Sequence, residues 1–374
     1  MLRMRRARWL AQWQNSAGKS AGKSAGKPAI YHCISRVVDR RLVFGERECE
    51  AFRRYLRMYE NFSGCRVLSY CVISNHFHLL LEVPPKAEGG LSDEELLKRL
   101  SGLYSEDFVE CVAMELEEAR KLVADGRASE TRVAEIHARF TYRMHDLSEF
   151  MKGFLIRFTR WFNRTHSRSG TLWEERFKSV IVESGVAART IAAYIDLNPV
   201  RAGMVVDPAD YRWSSYGEAI GGGTKGNGKK AREGLVRAWF CDQGVGFDSE
   251  KWREVSRLYR RLMGIELQKK SGRAVVEKRG LVTKNTAELL ESADNETALP
   301  DLGMAAMLRC RVRYFTDGAV IGSKAFVNET FEAARDRFTT RRKDGARRLR
   351  GSGKAAAGVL WSVRDLRVGI GEEL

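Results

Sequence analysis

The sequence lacks any apolar run approaching the ~20 residues that cross a bilayer, so membrane insertion is not expected. Its basic opening, MLRMRRARWLAQWQN, is not followed by the apolar core of roughly 7 to 15 residues that marks a secretory signal; a cytoplasmic protein is expected. The seven cysteines (33, 49, 65, 71, 111, 241 and 310) are odd in number and contain no C-x-x-C. Neither a disulfide framework nor a zinc knuckle is suggested. A phosphate loop is missing too. SAGK repeats three times over residues 16–27, so glycine returns every fourth residue, whereas a P-loop needs G-x-x-x-x-G-K-[ST] after a strand.

Acidic residues are in deficit, with 48 Asp and Glu against 65 Lys and Arg, a formal charge of +17 and a pI near 9.7. Such a balance points to a polyanionic partner, nucleic acid before anionic membrane, with plain solubility as the bland alternative. At roughly 100 to 200 residues per domain, 374 residues predict two or more domains.

What is present divides the chain. Residues 1–28 read as a flexible basic tail, since the first thirty residues carry seven basic side chains and no acidic one. From residue 29 the pattern becomes β-rich AIYHCISRVV, then ERECEAFRRYLRMYENF with Phe52, Tyr55 and Tyr59 at helical spacing, then two more strands in CRVLSYCVIS and HFHLLLEV. That is a β-α-β-β order over residues 29–85. Residues 86–145 read as an acidic helical insertion, with fifteen acidic against nine basic side chains over 86–149.

Asp146 with Glu149 resembles a capping box, opening a helix that aligns Phe150, Met151, Phe154, Leu155, Phe158, Trp161 and Phe162. Those side chains predict a core face. Arg157, Arg160 and Arg164 on the other face are either solvated or follow a phosphate backbone. SRSGTLWEERFKSVIVES reads as extended with a turn at Gly170, and Ser184 is placed to cap GVAARTIAAYIDLN, which Pro199 is expected to stop. Residues 146–218, closing on DYRWSSY, thus complete the unit begun at 29–85. A flexible Gly/Lys linker is expected over 219–230. Residues 231–374 form a basic, mainly helical C-terminal region, including the amphipathic KWREVSRLYRRLMG ended by Gly264. Its cluster TTRRKDGARRLR is a candidate grip on duplex or hairpin DNA, and a helix-turn-helix is compatible with the surrounding pattern.

Within SNHFHLLLEV, residues 74–83, strand alternation puts His76 and His78 on one face with Phe77 on the other. The pair can grip one metal ion, or can be two ordinary half-buried histidines. In YIDLN, Tyr194 and Asn198 lie four residues apart and share a helix face. A carboxamide oxygen suits a hard divalent cation, and two imidazoles with one oxygen leave open positions for a phosphate. A tyrosine nearby can attack that phosphate if a metal withdraws charge from it. Taken singly, Tyr194 can equally be a packing tyrosine and Asn198 a helix-end asparagine before proline.

The order NHFHLLLEV, LWEERFKS, YIDLNPVRAGMV and DYRWSSY, over residues 31–216 less the insertion, resembles the REP-associated tyrosine transposases. These are relatives of the insertion-sequence transposases in the HUH endonuclease superfamily. The resemblance implies an α+β, ferredoxin-like HUH fold with a central antiparallel sheet. It assigns Tyr194 as nucleophile and His76, His78 and Asn198 as ligands of Mg²⁺ or Mn²⁺. The implied activity is transposition and recombination chemistry: cleavage of single-stranded DNA beside a hairpin through a 5′-phosphotyrosine, then strand transfer, by a nucleoid-associated monomer, with a dimer as the alternative. Glutamine is commoner than asparagine at the third ligand position of the insertion-sequence relatives, so Asn198 favours the REP-associated branch.

Candidate DNA contacts are Arg36, Arg40, Arg41, Arg168, Arg176, Lys178 and Arg201, with Trp173 and Phe177 stacking on unpaired bases; solvated charge or core packing is the alternative for each. Two rival functions stand beside this one. A domesticated hairpin-binding protein would lack useful turnover, and a metal-dependent hydrolase would survive loss of Tyr194.

Overall fold

Alternate residues of three early strands are apolar on both sides, so the sheet they build needs cover on each face. A computed structural model describes residues 10–11, 27–86, 89–223, 226–241, 250–264, 315–316, 318–335, 338, 342–348 and 360–363. The expected order is seen: β1 (Ala29–Arg36), α1 (Glu46–Ser63), β2 (Arg66–Ile73) and β3 (His76–Val83). Three helices follow, α2 (Asp93–Ser101), α3 (Glu106–Ala124) and α4 (Thr131–Thr141), then α5 (Leu147–Thr165) and β4 (Lys178–Val182). β3 pairs antiparallel with both β2 and β1, and β1 antiparallel with β4. The resulting β2-β3-β1-β4 order is the ferredoxin-like α+β arrangement. Among the described residues no helix is long and apolar enough to cross a membrane.

The face under α1 and α5 is aromatic. Phe77 of β3 lies 4.9 Å from Phe52 and 6.3 Å from Phe154, ring centre to ring centre, and Tyr31, Cys33, Tyr70 and Leu79 join the same core. Asp146 caps α5 by accepting from the Glu149 amide at 2.8 Å. Only half of the capping box forms, since the Glu149 carboxylate takes Lys152 at 3.1 Å.

The opposite face receives α6 (Val186–Asp196) and its continuation α7 (Asn198–Arg201), then α8 (Ser215–Gly221), α9 (Gly226–Phe240) and α10 (Trp252–Leu262). Ser184 does not cap α6. The cap position is Gly185, at φ 80°, a conformation that glycine adopts without penalty. Pro199 does not stop the chain either. It sits in the first turn of α7, where its missing N–H costs nothing, and the helix runs one turn further.

One expectation about the later chain needs correction. The linker over 219–230 is largely helical, because its glycines serve close packing: a Cβ on Gly228 would meet the Gly222 carbonyl oxygen at 2.3 Å. Gly234 likewise lets α9 lie on β2, where a Cβ would come within 2.3 Å of the Val67 oxygen. Among its described residues the C-terminal region is mainly helical, as expected, and it also adds strands to the sheet. β5 (Val320–Gly322) pairs parallel with β4, and β7 (Trp361–Val363) and β6 (Arg347–Arg348) extend the sheet to seven strands, with α11 (Lys324–Ala333) beside them. The edge of β4 would otherwise leave unpaired N–H and C=O groups.

Arg342 of the cationic cluster is held over the Phe338 ring at 4.7 Å and donates to the Gly345 oxygen at 3.0 Å. The tail 1–28 lies outside the described residues apart from 10, 11, 27 and 28, whereas most of the stretch compatible with a helix-turn-helix is described and carries β5, α11 and β6. Ala11 donates its amide to Tyr31 Oη at 2.9 Å within the aromatic core.

Candidate active site

Alternation along β3 sends His76 and His78 to the face opposite Phe77. The register sets Ile34 against His78 and Arg36 against His76, so that His32, two residues before Ile34, reaches the same face from β1. The two histidine rings of β3 are 5.2 Å apart. His32 Nε2 lies 2.9 Å from His78 Nδ1, and His32 Nδ1 lies 2.8 Å from the Phe315 carbonyl oxygen. Burial pushes His32 down to about 4. Burial, with His32, His76, Arg201 and Arg36 nearby, holds His78 well below the ordinary histidine range. Both shifts favour the neutral imidazole, the form that keeps a lone pair on one ring nitrogen.

His76 Nδ1 lies 2.7 Å from Asn75 Oδ1, and Asn75 Nδ2 donates to the Arg40 oxygen at 2.9 Å. That second bond holds a turn in which Asp39 and Arg40 both have φ of 56°, a left-handed conformation uncommon for side-chain-bearing residues.

Tyr194 comes from the last turn of α6, where its ring meets the His78 ring edge-on at 6.0 Å and that of Phe315 at 4.9 Å. The Arg201 guanidinium covers the ring at 3.9 Å and donates to the Tyr194 carbonyl oxygen at 2.6 Å. The extra turn of α7 makes this clasp possible. Tyr194 is only 3 % exposed, yet it borders a cavity of about 560 Å³ together with His76, His78 and Asn198. Two residues on, Asp196 points away from the cavity. It accepts from Tyr259 Oη at 2.6 Å and from the Tyr216 amide at 2.9 Å, and burial pushes its carboxyl up to about 7.

Arg36, Arg40, Arg176, Lys178 and Arg201 all line the cavity, as do Glu174 and Glu175. The remaining predicted contacts fall elsewhere. Arg41 is exposed outside the cavity lining, and Arg168 donates to the Thr171 oxygen at 3.0 Å beside Phe162. Trp173 and Phe177 are not base platforms. Both are buried in the aromatic core, Trp173 against Phe77 at 5.5 Å with its indole N–H on Thr159 Oγ1 at 3.0 Å, because the connection into β4 folds back across that core. Arg157 is likewise engaged, donating to the Leu103 oxygen at 3.1 Å.

The donor set fits a small divalent cation. Asn198 Nδ2 is 3.5 Å from His76 Nε2, and turning the carboxamide over, an equivalent placement of its atoms, presents oxygen there instead. Two imidazoles and one carboxamide thus border the same cavity. Among the described residues no three His, Cys, Asp or Glu side chains are grouped to hold a metal.

Residues that sequence reasoning missed are His32, Asn75, Glu174, Glu175 and Phe315. Asn75 was within reach as the neighbour of His76. His32 and Phe315 were not, because only strand register and the path of the later chain bring them in.

Residues 27–111 match the family described as "Transposase IS200 like". The matched segment includes His76 and His78 and ends before Tyr194. Compared with curated proteins, the chain matches none. Among solved structures it is similar to one described as "Structure of the REP associates tyrosine transposase bound to a REP hairpin", at 12% identity and a TM-score of 0.29, over 53% of this chain and 83% of that one.

Proposed function

We propose that this chain cleaves and rejoins single-stranded DNA at hairpin-forming, REP-like palindromic sequences, with Tyr194 as the nucleophile. One observation carries the reading: a phenol, two imidazoles and a carboxamide border a single cavity ringed by five basic side chains. The matched family segment over residues 27–111 supports a transposase-type activity.

In the reaction, Tyr194 Oη forms a bond to phosphorus as the P–O3′ bond breaks. The phenolic proton passes to water and the departing 3′-oxygen takes one up, leaving a 3′-OH and a 5′-phosphotyrosine. Attack by another 3′-OH reverses these steps and frees the phenol, so the covalent link retains the bond energy and no nucleotide cofactor is required. His76, His78 and Asn198 would hold Mg²⁺ or Mn²⁺, which when bound draws charge from the phosphoryl oxygens. Arg36, Arg40, Arg176 and Lys178 offset the charge of the strand around the scissile phosphate. Arg201 orients the attacking ring through its clasp on Tyr194. The chain is proposed to act as a monomer in the cytoplasm, at the nucleoid.

The burial of Tyr194 favours the rival reading of a hairpin-binding protein without turnover. A labelled single-stranded hairpin library incubated with protein and Mn²⁺ separates the readings. A denaturation-resistant protein–DNA adduct that disappears in Tyr194→Phe is the expected result. Binding without an adduct would leave the non-catalytic protein, and cleavage persisting in Tyr194→Phe would leave a hydrolase.

A further inference from the structure

We infer that His32 is a positioning residue for His78, fixing which nitrogen of that ring is left to bind a cation, and that the Phe315 carbonyl sets it in turn. The inference rests on the proposed ligand role of His78. A carbonyl oxygen only accepts, so at 2.8 Å from Phe315 it requires the hydrogen of His32 to sit on Nδ1. In a neutral ring the His32 Nε2 then carries a lone pair. His78 Nδ1, 2.9 Å away, must donate to it, which leaves the lone pair of His78 on Nε2.

Asn75 imposes the same choice on His76. Its Nδ2 is committed to the Arg40 oxygen, so its Oδ1 accepts from His76 Nδ1 and leaves Nε2 toward Asn198. Two separate hydrogen-bond chains thus give both imidazoles one tautomer, with Nε2 the acceptor in each. Partners of this kind fix the ring orientation of metal-binding histidines and raise their basicity. The His78 chain has an unusual origin: Phe315 lies 283 residues beyond His32, in the region after the ferredoxin-like unit. Its ring also packs edge-on against Tyr194, so one C-terminal residue touches both the nucleophile and the ligand support. The C-terminal region is therefore part of this site.

The test uses the full chain labelled with ¹⁵N-histidine, with the His78 signals assigned through His78→Gln. Long-range ¹H–¹⁵N correlations should show His78 protonated on Nδ1 and bare on Nε2. A protonated Nε2 in the wild-type protein would overturn the inference with no substitution needed. In His32→Phe the His78 pattern should mix or reverse, and Mn²⁺ affinity, read by electron paramagnetic resonance, should fall roughly 10- to 100-fold. His32→Gln, which keeps an acceptor for His78 and a donor for Phe315, should retain most of the wild-type pattern and affinity. Phe315→Ala keeps the carbonyl and should leave the His78 tautomer intact. An unchanged His78 pattern in folded His32→Phe would sink the idea. A wild-type protein with the expected tautomer but no DNA adduct would strike the proposed function and leave this inference standing.

Discussion

The two faces of one sheet share the same strands and do opposite work. Along β3, Phe77, Leu79 and Leu81 enter the aromatic core under α1 and α5, while His76, His78 and Glu82 turn toward α6 and α9. The first face holds its place chiefly by area and shape. On the second, the polar groups of β2 and β3 have partners: His78 with His32, His76 with Asn75, Glu82 with Arg237 at 2.8 Å, and Ser69 with Asp196 at 3.3 Å. Buried polar groups left without partners are costly, so the polar face is tied to its surroundings by direction rather than by volume. A strand of period two lets a single segment satisfy both demands.

Adjacent residues make the sharpest break of that comparison. Phe77→Ala should cost about 3–5 kcal/mol of stability, measured by denaturant unfolding, because it empties a cavity among Phe52, Phe154 and Trp173. His76→Ala, one residue away, should abolish the DNA adduct yet cost less than about 1.5 kcal/mol, roughly one hydrogen bond. Equal destabilisation by the two substitutions would mean that the faces do not divide their roles.

The next effect belongs to the polar face alone. Asp196 titrates at about 7 in the folded protein because burial disfavours its charge, whereas an unfolded aspartate titrates near ~3.9. The folded state therefore holds a proton that the unfolded state has released. Its stabilising contribution is complete below about pH 4, falls as pH rises through about 7, and is lost above that. The free energy of unfolding should drop between pH 5 and pH 8 by an amount on the order of a few kcal/mol. Asp196→Asn should flatten that slope. A slope unchanged in the variant would remove Asp196 as its cause, and with it the view of this carboxyl as a neutral anchor for the helix bearing Tyr194.

Packing on the polar face has its own limit at Gly234. Adding a methyl there drives α9 from β2, and Gly234→Ala should cost about 1–3 kcal/mol by the same unfolding measurement. A neutral outcome would show that α9 rests loosely on the sheet.

How much of this was legible follows from period and proximity. The β-α-β-β order and the shared face of His76 and His78 are written in local alternation, and the Asp146 cap in a single residue before an apolar run. Tyr194 and Asn198 were legible as a spacing on one helix, although the break at Leu197 and the further turn to Arg201 were not. Trp173 and Phe177 misled because aromatic residues among basic ones look alike whether they face solvent or core, and only the path of the connection into β4 decides. β5 and β7 have three residues each, too short to show alternation, so the sheet extension inside a mainly helical region was not visible. His32 sits in a strand rich in buried residues, where nothing local distinguishes it from core. Its meaning comes from register with β3 and from a carbonyl far along the chain.

The smallest expected effect tests place against charge. Each phosphate contact to single-stranded DNA contributes about 0.7 to the slope of log affinity against log salt. Arg176 and Lys178 line the cavity, so Arg176→Ala and Lys178→Ala should each lower that slope by roughly this amount in titrations with a hairpin carrying a single-stranded flank. Arg168 carries the same formal charge a few residues away, but its guanidinium is spent on the Thr171 carbonyl outside the cavity lining. Arg168→Ala should leave the slope where it was. If all three substitutions lower it equally, net charge governs binding and the cavity has no privileged strand path; if only Arg176 and Lys178 matter, the polar face binds the backbone at the phosphate nearest Tyr194.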